Sequence, residues 1–287
     1  MKKWFLFLMA FIMVTPIMVN ANESEESIYY TNNNGISMTE REYHNLLNLG
    51  FKNFEIQNMN LETFNENKDY DDAFLESETH RYFRTEYSNI DGSVISNQEI
   101  TRYEYEHADL NCRGDGQSIT TYKELTASIR YVNANAKRYR ASLSWLNMPS
   151  TRSYDIIGVG FSDANIQVLS SYPSLDTTYC DSGNNCTTIT SGYAYKVTAD
   201  GAGASFALPT GTIISLYSTL YYNISKKTSN TITYLRMCGD YAHATSSVTA
   251  NQSKKYSLGY AGLYLESSIL NYYDEMPCAE ATWSGSW

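Results

Sequence analysis

The chain carries four histidines, His44, His80, His107 and His243, and no two of them stand at metal-ligand spacing. His243 closes the stretch Cys238-Gly239-Asp240-Tyr241-Ala242-His243. A thiol, a carboxylate and an imidazole this close could form a nucleophilic site, the carboxylate orienting the ring. The plainer reading is two strands joined by a turn at Gly239-Asp240. Carboxylates gather in KDYDDAFLE, residues 68–76. Calcium favours such charge, but Ala73 takes a ligand slot and no Gly occupies the sixth position, so the stretch reads as a solvated acidic linker over 69–76. Asp274 and Glu275 follow Tyr272 and Tyr273. One of them could be half of a sugar-cleaving pair. Neighbours on a strand point to opposite faces, so the other half would come from elsewhere. The motifs GxSxG, HExxH, the Walker A loop and GxGxxG are absent. DGAGAS, residues 200–205, lacks the Lys of a phosphate loop and reads as a tight turn. No catalytic residue, metal ligand or cofactor is assigned.

Binding chemistry is better represented. The chain has 26 Tyr and 4 Trp. Tyr217, Tyr221, Tyr222, Tyr272, Tyr273, Trp283 and Trp287 offer flat apolar faces with polar edges, on which sugar rings stack and protein partners anchor. Most such side chains pack across strands instead. Trp283 and Trp287 lie in a Gly/Ser-containing tail and are the least well explained by a core. Tyr272, Tyr273, Trp283 and Trp287 are therefore the expected ligand-binding residues. Arg113-Gly114-Asp115 is the tripeptide of integrin ligands, and here it reads as a polar turn.

These residues need a scaffold. Thr39 and Glu42 stand at capping-box spacing, and Tyr43, Leu46 and Leu47 follow on one helical face. Gly50 is placed to stop the helix in the left-handed conformation. Ile56, Met59, Leu61 and Phe64 form a second face, so 39–66 is expected to be a small helical hairpin. From residue 77 the period is two. Strands are expected over 77–88 and 93–106 around the turn Asn89–Gly92. Leu125, Ala127, Ile129 and Tyr131 alternate with polar residues, turn at 133–136, and are answered by Tyr139, Ala141, Leu143 and Trp145, the clearest hairpin in the chain. Further strands are expected over 154–161, 164–171, 187–198, 203–208, 211–224, 229–238, 243–249 and 256–271, with no helix after residue 76. A dozen short alternating strands predict an all-β fold, an antiparallel, jelly-roll-like β-sandwich over 77–287, preceded by the short strand and helical hairpin of 22–68.

Lys2 and Lys3 precede an apolar run from Trp4 to Met18, then Val19-Asn20-Ala21. That is a signal peptide over 1–21 cleaved after Ala21, and the chain is expected outside the cell with no integral membrane segment after cleavage. Five cysteines remain, Cys112, Cys180, Cys186, Cys238 and Cys278. Cys180 with Cys186, and Cys238 with Cys278, are the disulfide candidates. Residues 22–110 hold 19 acidic and 6 basic side chains. Phosphates would be repelled, which argues against nucleic acid as a partner.

The stretch MTEREYHNLLNLGFKNFEIQNMNLETFNENK, residues 38–68, resembles short leader modules of secreted proteins of low-GC Gram-positive bacteria. The resemblance implies an exported bacterial protein and carries no activity. The reading is a binding or adhesion module for a glycan or a protein surface. The alternatives are a carboxylate-dependent glycan hydrolase and a membrane-active β-toxin inserting residues 211–237 as a hairpin, although its apolar positions fall out of register near Tyr217.

Overall fold

In a computed structural model, residues 27–110, 116–161, 163–169, 173–183 and 185–287 are described. The proposed leader, Cys112 and the Arg113-Gly114-Asp115 tripeptide lie outside the described residues. A short ribbon of β1 (Tyr30–Thr31) and β2 (Ser37–Met38) leads into α1 (Glu40–Asn48), α2 (Asn53–Asn58) and α3 (Leu61–Asn67). The capping box forms: Glu42 N donates to Thr39 Oγ1 at 3.2 Å and Thr39 N to Glu42 Oε2 at 2.9 Å. Gly50 follows α1 with φ of 96°, a conformation glycine adopts without a Cβ clash. Where a two-helix hairpin is expected, three short helices form, because Asn60 caps a new helix by accepting from Thr63 N at 2.8 Å.

The strands follow in order: β3 (Phe74–Ser88), β4 (Val94–Ile100), β5 (Ser118–Asn133), β6 (Ala136–Trp145), β7 (Tyr154–Phe161), β8 (Ile166–Val168), β9 (Ser174–Asp181), β10 (Cys186–Ile189), β11 (Ala194–Thr198), β12 (Gly201–Ala207), β13 (Ile213–Lys226), β14 (Tyr234–Ala244), β15 (Tyr256–Gly259), β16 (Gly262–Leu265) and β17 (Tyr273–Ser284). The larger sheet runs β10-β9-β13-β6-β5-β3-β4, with β8 also on β13; the smaller runs β11-β12-β7-β14-β17. All pairings are antiparallel. The two inner faces share one core, including Leu125, Ile129, Tyr139, Leu143 and Trp145 from one sheet and Ile157, Val159, Phe206 and Met237 from the other. Each such side chain contributes about 1.5–3 kcal/mol through burial. The antiparallel sandwich is thus the observed fold.

The differences have local causes. β3 begins at Phe74, so residues 74–76 of the expected acidic linker belong to the sheet, while 69–73 connect α3 to it. A short α4 (Arg102–Glu106) replaces the end of the expected strand 93–106, capped by Thr101 and Glu104. DGAGAS lies largely within β12. The expected turn at Gly239-Asp240 is mid-strand in β14. A Cβ at Gly239 would lie 3.0 Å from Ala141 Cβ and 3.1 Å from Ala127 Cβ, so glycine permits the sheets to approach. β13 and β14 belong to different sheets, so 211–237 is no hairpin. No helix among the described residues is long and apolar enough to cross a membrane.

A third layer covers the outer face of the larger sheet. Leu46, Leu49, Phe51, Ile56, Met59 and Phe64 pack there with Val132, Ala136 and Tyr221. At its centre, Arg140 of β6 donates from Nη2 to both oxygens of Glu55 in α2, at 3.0 and 2.8 Å, with both residues buried. On the smaller sheet, the β15–β16 hairpin covers Ile156, Ala242 and Ala244 with Tyr256, Leu258 and Leu263.

Candidate functional site

Where the helical layer stops short of the sheet margin it leaves a groove. α3 forms one wall and β6, β9 and β13 the floor; its cavity is about 650 Å³. The floor derives from strand alternation. Arg138 pairs across the ladder with Asn223, and Asp176 of β9 with Thr219 of β13, placing polar groups on the face turned from the core. Arg138 Nε donates to Asn223 Oδ1 at 2.9 Å, and its guanidinium carbon lies 4.7 Å from the Tyr221 ring centre and 5.6 Å from that of Tyr70. Asn67 Nδ2 donates to Thr63 O at 2.6 Å and to Tyr221 Oη at 3.4 Å. Arg138 and Asn67 are both buried, yet Arg138 Nη1 and Asn67 Oδ1 have no protein partner. A buried donor and a buried acceptor left open in one groove call for a ligand group or water.

A second cavity of about 610 Å³ adjoins the first. The two share Asn60 and Thr190, whose side chains bond at 3.0 Å as a bridge between them. Asn34, Asn58 and Thr188 continue the polar lining. Together they make an extended trough rather than a single closed pocket.

Asp176 lies half-buried in this floor. Burial pushes its carboxyl up to about 7, the charge of Glu55 adds to the rise, and Arg140 opposes it. Between its ordinary value of 3.8 and about 7 the folded chain holds a proton that the unfolded chain has released. Stability from this group is therefore lost as pH rises through that window. Asp176→Asn is expected to match the wild type below about pH 4 and to be more stable by about 2–4 kcal/mol above pH 7. Urea unfolding at both pH values measures it; equal stability at the higher pH would refute the assignment.

The residues expected to bind are placed elsewhere. Tyr272 is exposed, while Tyr273 is buried and donates from Oη to Tyr154 O at 3.0 Å. Trp283 and Trp287 pack against the main core, and Lys137 Nζ stands 4.0 and 5.4 Å from their ring centres. Trp287 Nε1 donates to Ala134 O at 3.1 Å. The tail is therefore held by the fold, and these four residues do not converge on the groove. Tyr221 does line it, as does Tyr222.

The nucleophilic arrangement around His243 is not formed. Cys238 is disulfide-bonded to Cys278, and Asp240 accepts from the backbone of Tyr241 and Leu263 at 2.7 and 3.1 Å. The second disulfide is Cys180–Cys186, clasping the β9–β10 hairpin. Asp274 is buried and Glu275 exposed, the opposite facing that strand geometry requires. No group of three or more His, Cys, Asp or Glu among the described residues could hold a metal ion.

No family model matches the chain, and no curated protein matches it. Among solved structures it is similar to the C-terminal domain of the Streptococcus agalactiae AgI/II polypeptide BspA, with 6% identity and a TM-score of 0.24, over 57% of this chain and 80% of that one. It is also similar to the collagen binding domain of the Erysipelothrix rhusiopathiae surface protein RspB, with 4% identity and a TM-score of 0.25, over 58% of this chain and 66% of that one. Likeness at this level bears on neither ligand nor chemistry.

Proposed function

We propose that the chain is an exported glycan-binding module, with the trough between the helical layer and the larger sheet as its saccharide site. The observation that carries this reading is the pair of open polar atoms, Asn67 Oδ1 and Arg138 Nη1, buried beside the ring of Tyr221. A sugar hydroxyl both donates and accepts, the two functions these unpartnered atoms call for. Tyr70 and Tyr195 supply flat faces of the kind that suit pyranose rings, and Asn60, Thr190 and Asn223 add neutral hydrogen-bonding edges. The continuation past Asn60 fits a linear chain of several units better than a monosaccharide.

A panel of soluble polysaccharides and oligosaccharides, read by calorimetry, tests the proposal. Wild type is expected to bind at least one of them, and Asp176→Ala and Tyr70→Ala to weaken that binding by about tenfold or more, roughly 1.4 kcal/mol each. Absence of binding across the panel, or unchanged affinity in both variants, overturns the reading. A second reading rests on Asp176 and Glu66 lining one groove, one carboxyl raised and the other at the exposed rim. Release of reducing ends by the wild type and not by Asp176→Asn would make the module a hydrolase.

A further inference from the structure

The sandwich holds a second constellation, remote from the trough and unused by it. Lys123 of β5 is fully buried between the sheets, facing Asp274 of β17, itself buried. Lys123 Nζ lies 2.7 Å from Asp274 Oδ2. The Tyr87 hydroxyl bridges the two, accepting from Lys123 Nζ at 2.9 Å and donating to Asp274 Oδ2 at 2.7 Å. Asn97 Nδ2 reaches the other oxygen, Asp274 Oδ1, at 3.3 Å. The rings of Trp145 and Tyr87 stand 5.2 and 5.5 Å from Nζ. We propose that this is a self-modification site, at which the Lys123 amine and the Asp274 carboxyl join as an intramolecular amide that ties the larger sheet to the smaller one.

Each part of the arrangement has a role in that step. Burial pushes the Lys123 ammonium down, against the opposing pull of Asp274, and so favours the amine, the form that can attack a carbonyl carbon. One proton crosses the Nζ–Oδ2 contact, leaving an amine beside a carboxylic acid. Nζ then bonds to Asp274 Cγ, and negative charge develops on Oδ1, where the Asn97 amide donates. The Tyr87 hydroxyl touches both the attacking nitrogen and the departing oxygen. It passes a proton from Nζ to Oδ2 as the Cγ–Oδ2 bond breaks. One water leaves, one C–N bond has replaced one C–O bond, and no oxidant or reductant takes part. Holding the partners in contact removes the entropic barrier of a bimolecular condensation. The product also removes a standing cost: a buried ion pair keeps two desolvated charges, whereas an amide carries none.

The test is peptide mapping of the purified full chain after reduction and alkylation, which eliminates the Cys238–Cys278 link to the same strand. An acylated Lys123 resists trypsin. The expected product is a branched peptide joining residues 114–130 to residues 256–287, lighter than the two linear peptides by one water, with fragment ions placing the branch at Lys123 and Asp274. It should account for most molecules. A Lys123→Met chain should release 256–287 free. Cleavage after Lys123 in most wild-type molecules, with 256–287 recovered linear, overturns the proposal. The wild-type map decides the matter even where the variant folds poorly.

Discussion

Glu55→Ala is expected to lower the unfolding free energy by about 3–5 kcal/mol, the cost of leaving a buried charge without its partner. Arg140 stands in the middle of the larger sheet, under the helical layer, with 4% of its surface exposed. Its Nη2 reaches both Glu55 oxygens, Tyr217 Oη at 3.2 Å and Thr219 Oγ1 at 3.2 Å. The two hydroxyls remain after the substitution but carry no charge, and Arg140 Nη1 is already buried without a protein partner. Removing both charges is the informative comparison. Glu55→Leu with Arg140→Met is expected to recover most of the loss, because well-packed apolar pairs replace buried ion pairs at little net cost. Urea unfolding of the two single variants and the double variant measures this. A loss under about 1 kcal/mol in Glu55→Ala would place the pair in the range of solvent-exposed ion pairs and contradict the closed layer.

That pair also marks the boundary of what the sequence discloses. On β6 the inner residues Tyr139, Ala141, Leu143 and Trp145 are legible because alternation is local, and all four are fully buried. Their outward neighbours Arg138, Arg140 and Ser142 carry the signature of a wetted face, yet they are buried as well. Nothing near them announces the helical layer, whose contact residue Glu55 lies 85 positions away. The trough is hidden for the same reason. Its floor is drawn from β6, β9 and β13 and its wall from α3, so no short motif contains it. β9 was itself obscure: Ser174-Leu175-Asp176-Thr177-Thr178-Tyr179 has few apolar residues, because its outer face meets the polar trough rather than a hydrophobic layer. The signal that does exist is the matched polar series on paired strands, Arg138-Arg140-Ser142 against Asn223-Tyr221-Thr219. Two neighbouring strands that are polar outward yet rich in arginine and tyrosine are poor solvent faces and good candidates for being covered.

The tail shows the opposite failure. Trp283 and Trp287 attract attention because a Gly/Ser context supplies no apolar neighbours, but their partners are distant in sequence. Lys137 lies over the Trp283 ring, and Ile232 and Trp287 exchange two backbone hydrogen bonds, at 2.9 and 3.0 Å. The Lys137 ammonium over the two indole faces uses the same flat surface that a ligand would.

The second large effect is expected at Asp155. This carboxylate is fully buried in β7 and takes three donors: Ala244 N at 2.8 Å, His243 Nδ1 at 3.1 Å and the Tyr241 hydroxyl. His243 Nδ1 faces only these oxygens, which assigns its hydrogen there, while Nε2 has no partner. The Tyr241 hydroxyl in turn accepts from Trp145 Nε1 at 3.3 Å, so one carboxylate organises a chain of side chains reaching from the smaller sheet into the larger. Asp155→Ala strands an N–H, an imidazole and a phenol in a dry core, each costing about 1–3 kcal/mol when unpaired. The expected loss is about 3–5 kcal/mol, less than the sum because some donors will re-pair. Asp155→Asn keeps the shape and one acceptor oxygen, so its loss should be smaller, about 1–3 kcal/mol. Guanidinium unfolding followed by tryptophan emission reads both variants, since Trp145 lies 5.1 Å from His243, ring centre to ring centre. If Asp155→Asn were as damaging as Asp155→Ala, the charge rather than the acceptor geometry would be holding the sheets in register, and the hydrogen-bonded account of this network would fail.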